Sequence, residues 1–212
     1  MKRPFRRTSP QRARAPFCGL FVKCSLLLIT AALAVAADHE TPFWVQPCPA
    51  GKSGCAPGDE DLARWAFEAW QKASSGKLHF VETKDREKAV IRLVWASEEQ
   101  GLYGETVPIQ VGNQRGAQIF VHNTVDGIQD VLLRDTIVYL TCLHESGHAL
   151  GLPHTAAFAD IMYSFQYGGD IPEYFGRYRR KLSERTDIRK NSGISPSDQK
   201  RLLEILSVDS RL

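Results

Sequence analysis

The sequence contains no heptad pattern, no low-complexity tract and no internal repeat, which excludes coiled-coil and solenoid architectures. It also lacks an apolar run of the roughly 20 residues that a membrane-spanning helix requires. The stretch after Lys23 comes nearest, with about 14 uncharged residues. The 212 residues are 43% hydrophobic and 24% charged, which is ordinary for a soluble domain with one sizeable core.

Acidic residues are missing from the first 37 positions, which carry seven basic residues. The formal charge of +3 therefore misrepresents the rest of the chain, where 20 basic and 24 acidic residues give a net charge of −4. This balance does not indicate a nucleic-acid partner.

The basic segment leads into the apolar residues 24–37, which contain the small-x-small sequence Ala34-Val35-Ala36. This order is typical of a secretory signal peptide, and we expect cleavage after Ala36 or Ala37. The sequence thus predicts a signal peptide over 1–37 and one secreted, periplasmic or extracellular domain over 38–212. An uncleaved signal that tethers the protein to a membrane is the alternative, although the short apolar run argues against stable membrane association.

Cysteine is scarce, and two of the five cysteines, Cys18 and Cys24, lie within the predicted signal. Cys48 and Cys55 flank a loop rich in Pro and Gly and are placed to form a local disulfide in an oxidising compartment. Cys142 would then be a free buried thiol. A pairing of Cys142 with one of the other two is the alternative.

Hydrophobic periodicity predicts a single α+β domain. The predicted strands are 41–46, 78–82, 89–95, 106–111 and 117–122, with a hairpin-type turn at 113–116. The predicted helices are 59–74, 130–150 and a C-terminal helix that begins after an N-cap at Ser195. Residues 155–195 are expected to lack regular structure because Gly168, Gly169 and Pro172 interrupt them, and the basic residues 177–181 are expected to be solvated.

The second predicted helix carries the pattern H-E-x-x-H-x-x-G-x-x-H, which consists of His144, Glu145, His148, Gly151 and His154. Histidines four residues apart lie on one face of a helix and can bind the same ion. Gly151 can adopt the left-handed conformation that ends a helix, which would bring His154 back as a third ligand. Three protein ligands leave one position for water, so the pattern predicts one catalytic zinc ion rather than a structural one.

Glu145 follows the first predicted ligand and can reach a water molecule on the metal. We predict that it is the general base, which takes the proton of the attacking water and later gives it to the leaving amine. The pattern therefore indicates a zinc metalloendopeptidase. A catalytically silent, secreted zinc-containing peptide-binding module is the alternative, but such a module would have no physical need for the glutamate.

The stretch HESGHALGLPH resembles the matrixin family of metzincin zinc metalloproteases, of the peptidase M10 type. Met162, in the sequence ADIMY, matches the Met-turn of that family in its spacing from His154. The resemblance implies a metzincin-like α+β domain: a twisted, mixed five-stranded sheet with an antiparallel edge strand, an active-site helix, a Met-turn and a C-terminal helix.

The resemblance also implies protein or peptide substrates, which would add to the edge strand as an extended chain. The residues that would bind them are Thr106, Val107, Pro108, Ile109 and Tyr163. The segment 163–176 would form the wall of the specificity pocket. A monomer is expected, and calcium is a possible further ligand of the family for which the sequence has no readable signature.

The sequence departs from the matrixin pattern in three respects. No PRCGxPD motif is present, and Cys48 lies in the different context QPCPAG, so a cysteine cap on the zinc is not expected. His79 and His122 do not reproduce the histidine and aspartate cluster of the second, structural zinc. Ser164 occupies a position where matrixins commonly have proline, so the pocket wall is expected to differ.

Overall fold

The computed structural model describes residues 40–48, 55–96, 103–122 and 127–208. The predicted signal peptide lies outside these residues. Within the described ranges, no helix has the length and apolar character needed to cross a membrane.

A mixed five-stranded sheet forms the framework of the domain. Its strands are β1 (Glu40–Val45), β2 (His79–Glu82), β3 (Ile91–Ala96), β4 (Gly104–Val111) and β5 (Gln114–His122). They lie in the order β2-β1-β3-β5-β4, and every neighbouring pair is parallel except β4 and β5, which are antiparallel. The predicted mixed sheet with an antiparallel edge strand is therefore confirmed.

Five α-helices accompany the sheet in the described residues: α1 (Asp59–Ala73), α2 (Val131–Ala149), α3 (Ile171–Arg179), α4 (Asp187–Lys190) and α5 (Pro196–Val208). The first two pack against each other and against the sheet, and they enclose the core. Trp70 of α1 is fully buried, and its indole N–H donates to the Leu143 carbonyl of α2 at 2.9 Å. This bond satisfies the one polar group of the largest core side chain.

A buried ion pair fixes the two long helices to each other. Asp59, at the start of α1, is 1% exposed and accepts hydrogen bonds from the Arg134 guanidinium of α2. The carboxylate also lies at the helix N-terminus, where the helix dipole favours negative charge. Because α2 carries two of the three predicted metal ligands, His144 and His148, the pair helps to set their position relative to the core.

The hairpin turn between β4 and β5 is shorter than predicted. Val111 pairs with Gln114, so the loop consists of residues 112 and 113 rather than 113–116. Gly112 occupies the first loop position with φ 57°, a conformation that glycine adopts without steric cost.

Residues 155–195 contain helices α3 and α4, so the prediction that they lack regular structure was wrong. Asp170 caps α3 by accepting from the Glu173 backbone N–H at 2.9 Å. Pro172 lies in the first turn, where a missing N–H costs no helical hydrogen bond.

The basic residues at the end of α3 are not a plain solvated face. The Arg177 guanidinium lies over the rings of Phe158 and Tyr174, 4.7 and 4.6 Å from their centroids. Tyr178, between the basic residues, is buried.

The cysteines adopt the first of the two predicted arrangements. Cys48 and Cys55 form a disulfide, and Cys142 is a buried free thiol inside α2.

Candidate active site

The end of α2 returns the chain towards the helix that it has just left. Gly151 has φ 87°, and its N–H donates to the His148 carbonyl at 2.9 Å. The Leu152 N–H donates to the Gly147 carbonyl at 3.0 Å. These two bonds form a Schellman motif, the predicted left-handed helix end. They bring His154 back over the last turn of α2.

The three histidines of the motif meet at their Nε2 atoms. The Nε2 of His154 lies 3.1 Å from that of His144 and 3.0 Å from that of His148. Among the described residues, these three form the group whose ligand atoms are close enough to hold a metal ion. The predicted ligands are thus brought together.

Backbone carbonyls orient two of the three rings. The Nδ1 of His144 lies 2.7 Å from the Ile161 carbonyl, and the Nδ1 of His148 lies 2.8 Å from the Leu152 carbonyl. Because a carbonyl oxygen can only accept, each Nδ1 must carry the proton, and each Nε2 keeps its lone pair for a metal.

Electrostatics favour the neutral imidazoles that a metal requires. Burial lowers the pKa of His144 to about 4, and burial also lowers the pKa values of His148 and His154. Burial therefore favours the neutral form of all three rings. Three nitrogen donors that all lie within 4.8 Å of one another fit a zinc ion with Zn–N bonds of about 2.0–2.1 Å.

Glu145 is buried beside the histidines, with 6% of its surface exposed. Its Oε2 lies 2.7 Å from the hydroxyl oxygen of Thr106 on β4. Burial raises the pKa of Glu145 to about 7; the hydrogen bond from Thr106 opposes this shift and the charge of Glu105 adds to it.

The residues after the third histidine form a tight loop that ends under the site. The Thr155 N–H donates to the Met162 carbonyl at 2.8 Å, and the Ser164 N–H donates to the Thr155 carbonyl at 3.1 Å. Met162 is fully buried, and a Cβ on Gly147 would lie 2.5 Å from its Sδ. The loop therefore packs directly against the ligand-bearing helix.

A cavity of about 560 Å³ opens beside the three histidines. Of the residues predicted to bind substrate, Thr106 and Tyr163 line it, whereas Val107, Pro108 and Ile109 lie farther along β4, outside its lining. The wall also includes aromatic residues that the sequence reasoning did not single out: Tyr103, Phe165, Tyr174 and Phe175. Three of these four residues, Phe165, Tyr174 and Phe175, belong to the predicted wall segment 163–176.

These aromatic side chains pack against one another. The ring centroid of Phe165 lies 5.1 Å from that of Tyr174 and 6.1 Å from that of Phe175. Tyr103, just before β4, lies 5.2 Å from Phe175. The capping signal of α3, Asp170 followed three residues later by Glu173, could have identified the helix that carries two of these rings.

His79 and His122 do not reproduce the histidine and aspartate cluster of the family's second zinc site. Neither residue is part of the histidine group that could hold a metal in the described residues. His79 is exposed on the edge strand β2, and His122 is buried at the end of β5.

Comparison with known proteins agrees with the fold and the histidine cluster. No curated protein matches the chain significantly. The family model described as Matrixin matches residues 58–172, which run from the start of α1 into the first turn of α3 and make up more than half of the chain. The chain therefore belongs to the matrixin family of zinc metalloproteases.

Proposed function

We propose that this protein is a secreted, zinc-dependent metalloendopeptidase in which Glu145 is the general base. His144, His148 and His154 are the proposed zinc ligands, and Met162 forms the proposed Met-turn beneath them. One observation carries the proposal: three imidazole Nε2 atoms converge in a cavity that also holds a buried carboxylate.

Zinc held by the three histidines would polarise the carbonyl of the scissile peptide bond and make a bound water more acidic. The Glu145 carboxylate accepts the proton of the attacking water and transfers it to the nitrogen of the leaving amine. The carbonyls of Ile161 and Leu152 keep two rings in the tautomer that leaves Nε2 available. The buried position of Glu145 limits its access to bulk water.

The edge strand supports the proposed substrate class. β4 is the terminal strand of the described sheet, and Thr106 to Ile109 lie along it. An extended peptide can add to such an edge by backbone hydrogen bonds. Tyr163 lies in the cavity wall, where it can contact a substrate side chain. We propose these five residues as substrate-binding and unfolded or extended protein segments as substrates.

Export of the domain over 38–212 is part of the proposal. The basic segment followed by a short apolar run supports a cleaved signal over 1–37. The Cys48–Cys55 disulfide is consistent with an oxidising compartment. N-terminal sequencing of the exported protein tests this, and a first residue at Ala37 or Asp38 is expected.

The decisive experiment measures casein or peptide cleavage by the purified protein, with and without a zinc chelator. We expect the chelator to abolish cleavage and zinc to restore it. Glu145→Gln should retain one zinc per chain but lose activity by a factor of ~10²–10⁴, the usual contribution of a general base. His148→Ala should lose the zinc.

Cleavage by Glu145→Gln at the wild-type rate would contradict the proposed base. Cleavage that resists the chelator would contradict the zinc mechanism. Zinc-dependent peptide binding without any turnover in the wild-type protein would instead support the silent peptide-binding module.

A further inference from the structure

The hydroxyl of Thr106 lies between two acceptors that belong to one residue. Its oxygen is 2.7 Å from Oε2 of Glu145 and 2.9 Å from the Glu145 backbone carbonyl oxygen. A hydroxyl has one hydrogen to donate, and the shorter contact is to the carboxylate. A hydrogen bond to a charged acceptor is also the stronger kind.

The strand register explains why this side chain faces α2. Thr106 pairs with Ile119, and Gly104 pairs with Val121, both of which are core residues of β5. Side chains alternate between the two faces of a strand, so positions 104 and 106 share the face that covers the active-site helix. Glu105, between them, points to the other face.

Gly104 allows the strand to approach the base closely. A Cβ at this position would lie 2.7 Å from Cγ of Glu145 and 2.9 Å from the Thr141 methyl carbon. The Glu145 side chain is thus confined between the backbone of Gly104 and the hydroxyl of Thr106.

We propose that Thr106 is a positioning residue for the general base, an inference that rests on the proposed function. Its hydroxyl donates a hydrogen bond to Oε2 and holds the carboxylate in one rotamer. This leaves Oε1 free to accept the proton of the reacting water. Because Thr106 lies on the strand to which substrate would add, the element that binds the peptide also orients the base.

In a purely structural role, the Thr106 hydroxyl would instead join β4 to α2 by a hydrogen bond to the Glu145 backbone carbonyl. Substitutions at Thr106 distinguish this role from the positioning role. Thr106→Val replaces the hydroxyl with a methyl group of similar size, and Thr106→Ser retains the hydroxyl. In the zinc-loaded protein we expect Thr106→Val to lower kcat by ~10- to 100-fold with little change in KM. Thr106→Ser should retain most of the wild-type kcat, because it keeps the hydroxyl.

Two readouts do not depend on turnover. Zinc content and Tm should be nearly the same in all three proteins. In the metal-free chain labelled with ¹³C at glutamate Cδ, Thr106→Val should shift the Glu145 resonance, which Glu145→Gln identifies by its disappearance. Thr106→Ser should leave that resonance close to its wild-type position.

Thr136→Val is the matched control, because it removes a buried hydroxyl from α2 that donates to the Leu132 carbonyl within the helix. We expect it to retain wild-type kcat.

An unchanged kcat in Thr106→Val, while Glu145→Gln is inactive, would overturn the positioning role and leave the proposed function intact. A loss of kcat in Thr106→Val that merely follows a loss of zinc or a fall in Tm would also overturn it. An active Glu145→Gln would identify a failure of the proposed function itself.

Discussion

The carboxylate of Asp198 accepts a hydrogen bond from the backbone N–H of Ile161, with Oδ2 2.8 Å from the nitrogen. Asp198 lies in the first turn of α5 and is fully buried, and Ile161 immediately precedes Met162. The same carboxylate lies 2.7 Å from the Arg201 guanidinium and accepts from the Ser195 N–H at 3.1 Å. The C-terminal helix therefore holds the loop that packs beneath the histidines.

We expect Asp198→Ala to destabilise the fold by ~2–4 kcal/mol, because it leaves the buried Ile161 N–H without its acceptor and removes one of the two carboxylates that bind Arg201. The measurement is urea unfolding followed by circular dichroism. Lys200→Ala is the control on the same helix: its contact with Glu204, at 3.8 Å, is exposed and should contribute less than ~0.5 kcal/mol. Equal midpoints for the two variants would contradict the assigned role of Asp198.

Acid stability should depend on the contact between Arg201 and Asp160, whose atoms lie 2.8 Å apart. Burial alone would raise the pKa of Asp160, but hydrogen bonds from Ser195 and Arg201 outweigh it and place the pKa below its ordinary value. An aspartate that ionises more readily when folded stabilises the fold above the unfolded pKa of about 3.9. That contribution is lost as the pH falls through the folded pKa.

Arg201→Met removes a donor that lowers the Asp160 pKa, so the acid-unfolding midpoint should move to higher pH. The experiment is a pH titration by circular dichroism in the presence of chelator, which separates this effect from zinc release. Lys200→Met makes the same change of net charge at an exposed site and should leave the midpoint in place. A shift of equal size in both variants would show that net charge is the cause.

Two helical glycines should respond to alanine in opposite ways. Gly147→Ala would place a Cβ 2.5 Å from Sδ of Met162 and 3.0 Å from the Trp70 ring, so we expect a loss of ~1–3 kcal/mol from overpacking. At Gly176, on α3, the nearest atom is 3.3 Å away at the flexible end of Arg180. Gly176→Ala should therefore stabilise the protein by up to ~1 kcal/mol through helix propensity. Thermal unfolding distinguishes the two, and stabilisation by both would refute the packing argument.

Cys142 should be chemically inert in the folded protein. Burial raises the pKa of its thiol well above the ordinary value, and the thiolate is the reactive form. In the protein without residues 1–37, a thiol reagent should label no cysteine in buffer, one in guanidinium, and three after reduction. Labelling of Cys142 under native conditions would contradict its burial, and labelling of two thiols in guanidinium without reductant would be inconsistent with the Cys48–Cys55 bond.

The features that depend on local spacing could be read from the sequence. The histidines of α2 are related by one helical turn, and Gly151 ends the helix as predicted. Ser195 was recognised as the N-cap of α5, because a serine followed by proline favours a helix N-terminus without tertiary context, and its hydroxyl accepts from the Asp198 N–H at 3.0 Å. Each strand was found to within a few residues at its ends.

The missed features depend on residues far apart in the chain or on a competing local signal. Pro172 was taken as a breaker, although proline in the first helical turn is compatible with α3. Thr106 and Glu145 are separated by 39 positions, and no periodicity in either segment indicates their hydrogen bond. The same holds for Asp59 and Arg134, which are 75 positions apart and meet only after α1 and α2 have packed.

The bond from Ile161 to Asp198 also sets an order of events during synthesis. The histidines, the glutamate and Met162 all emerge from the ribosome before α5 does, and until then the loop beneath them lacks the carboxylate that holds it. The nascent chain thus carries every proposed catalytic group before this hydrogen bond can form. The order of the proposed site therefore depends on a helix that is synthesised after all of the groups that the site contains.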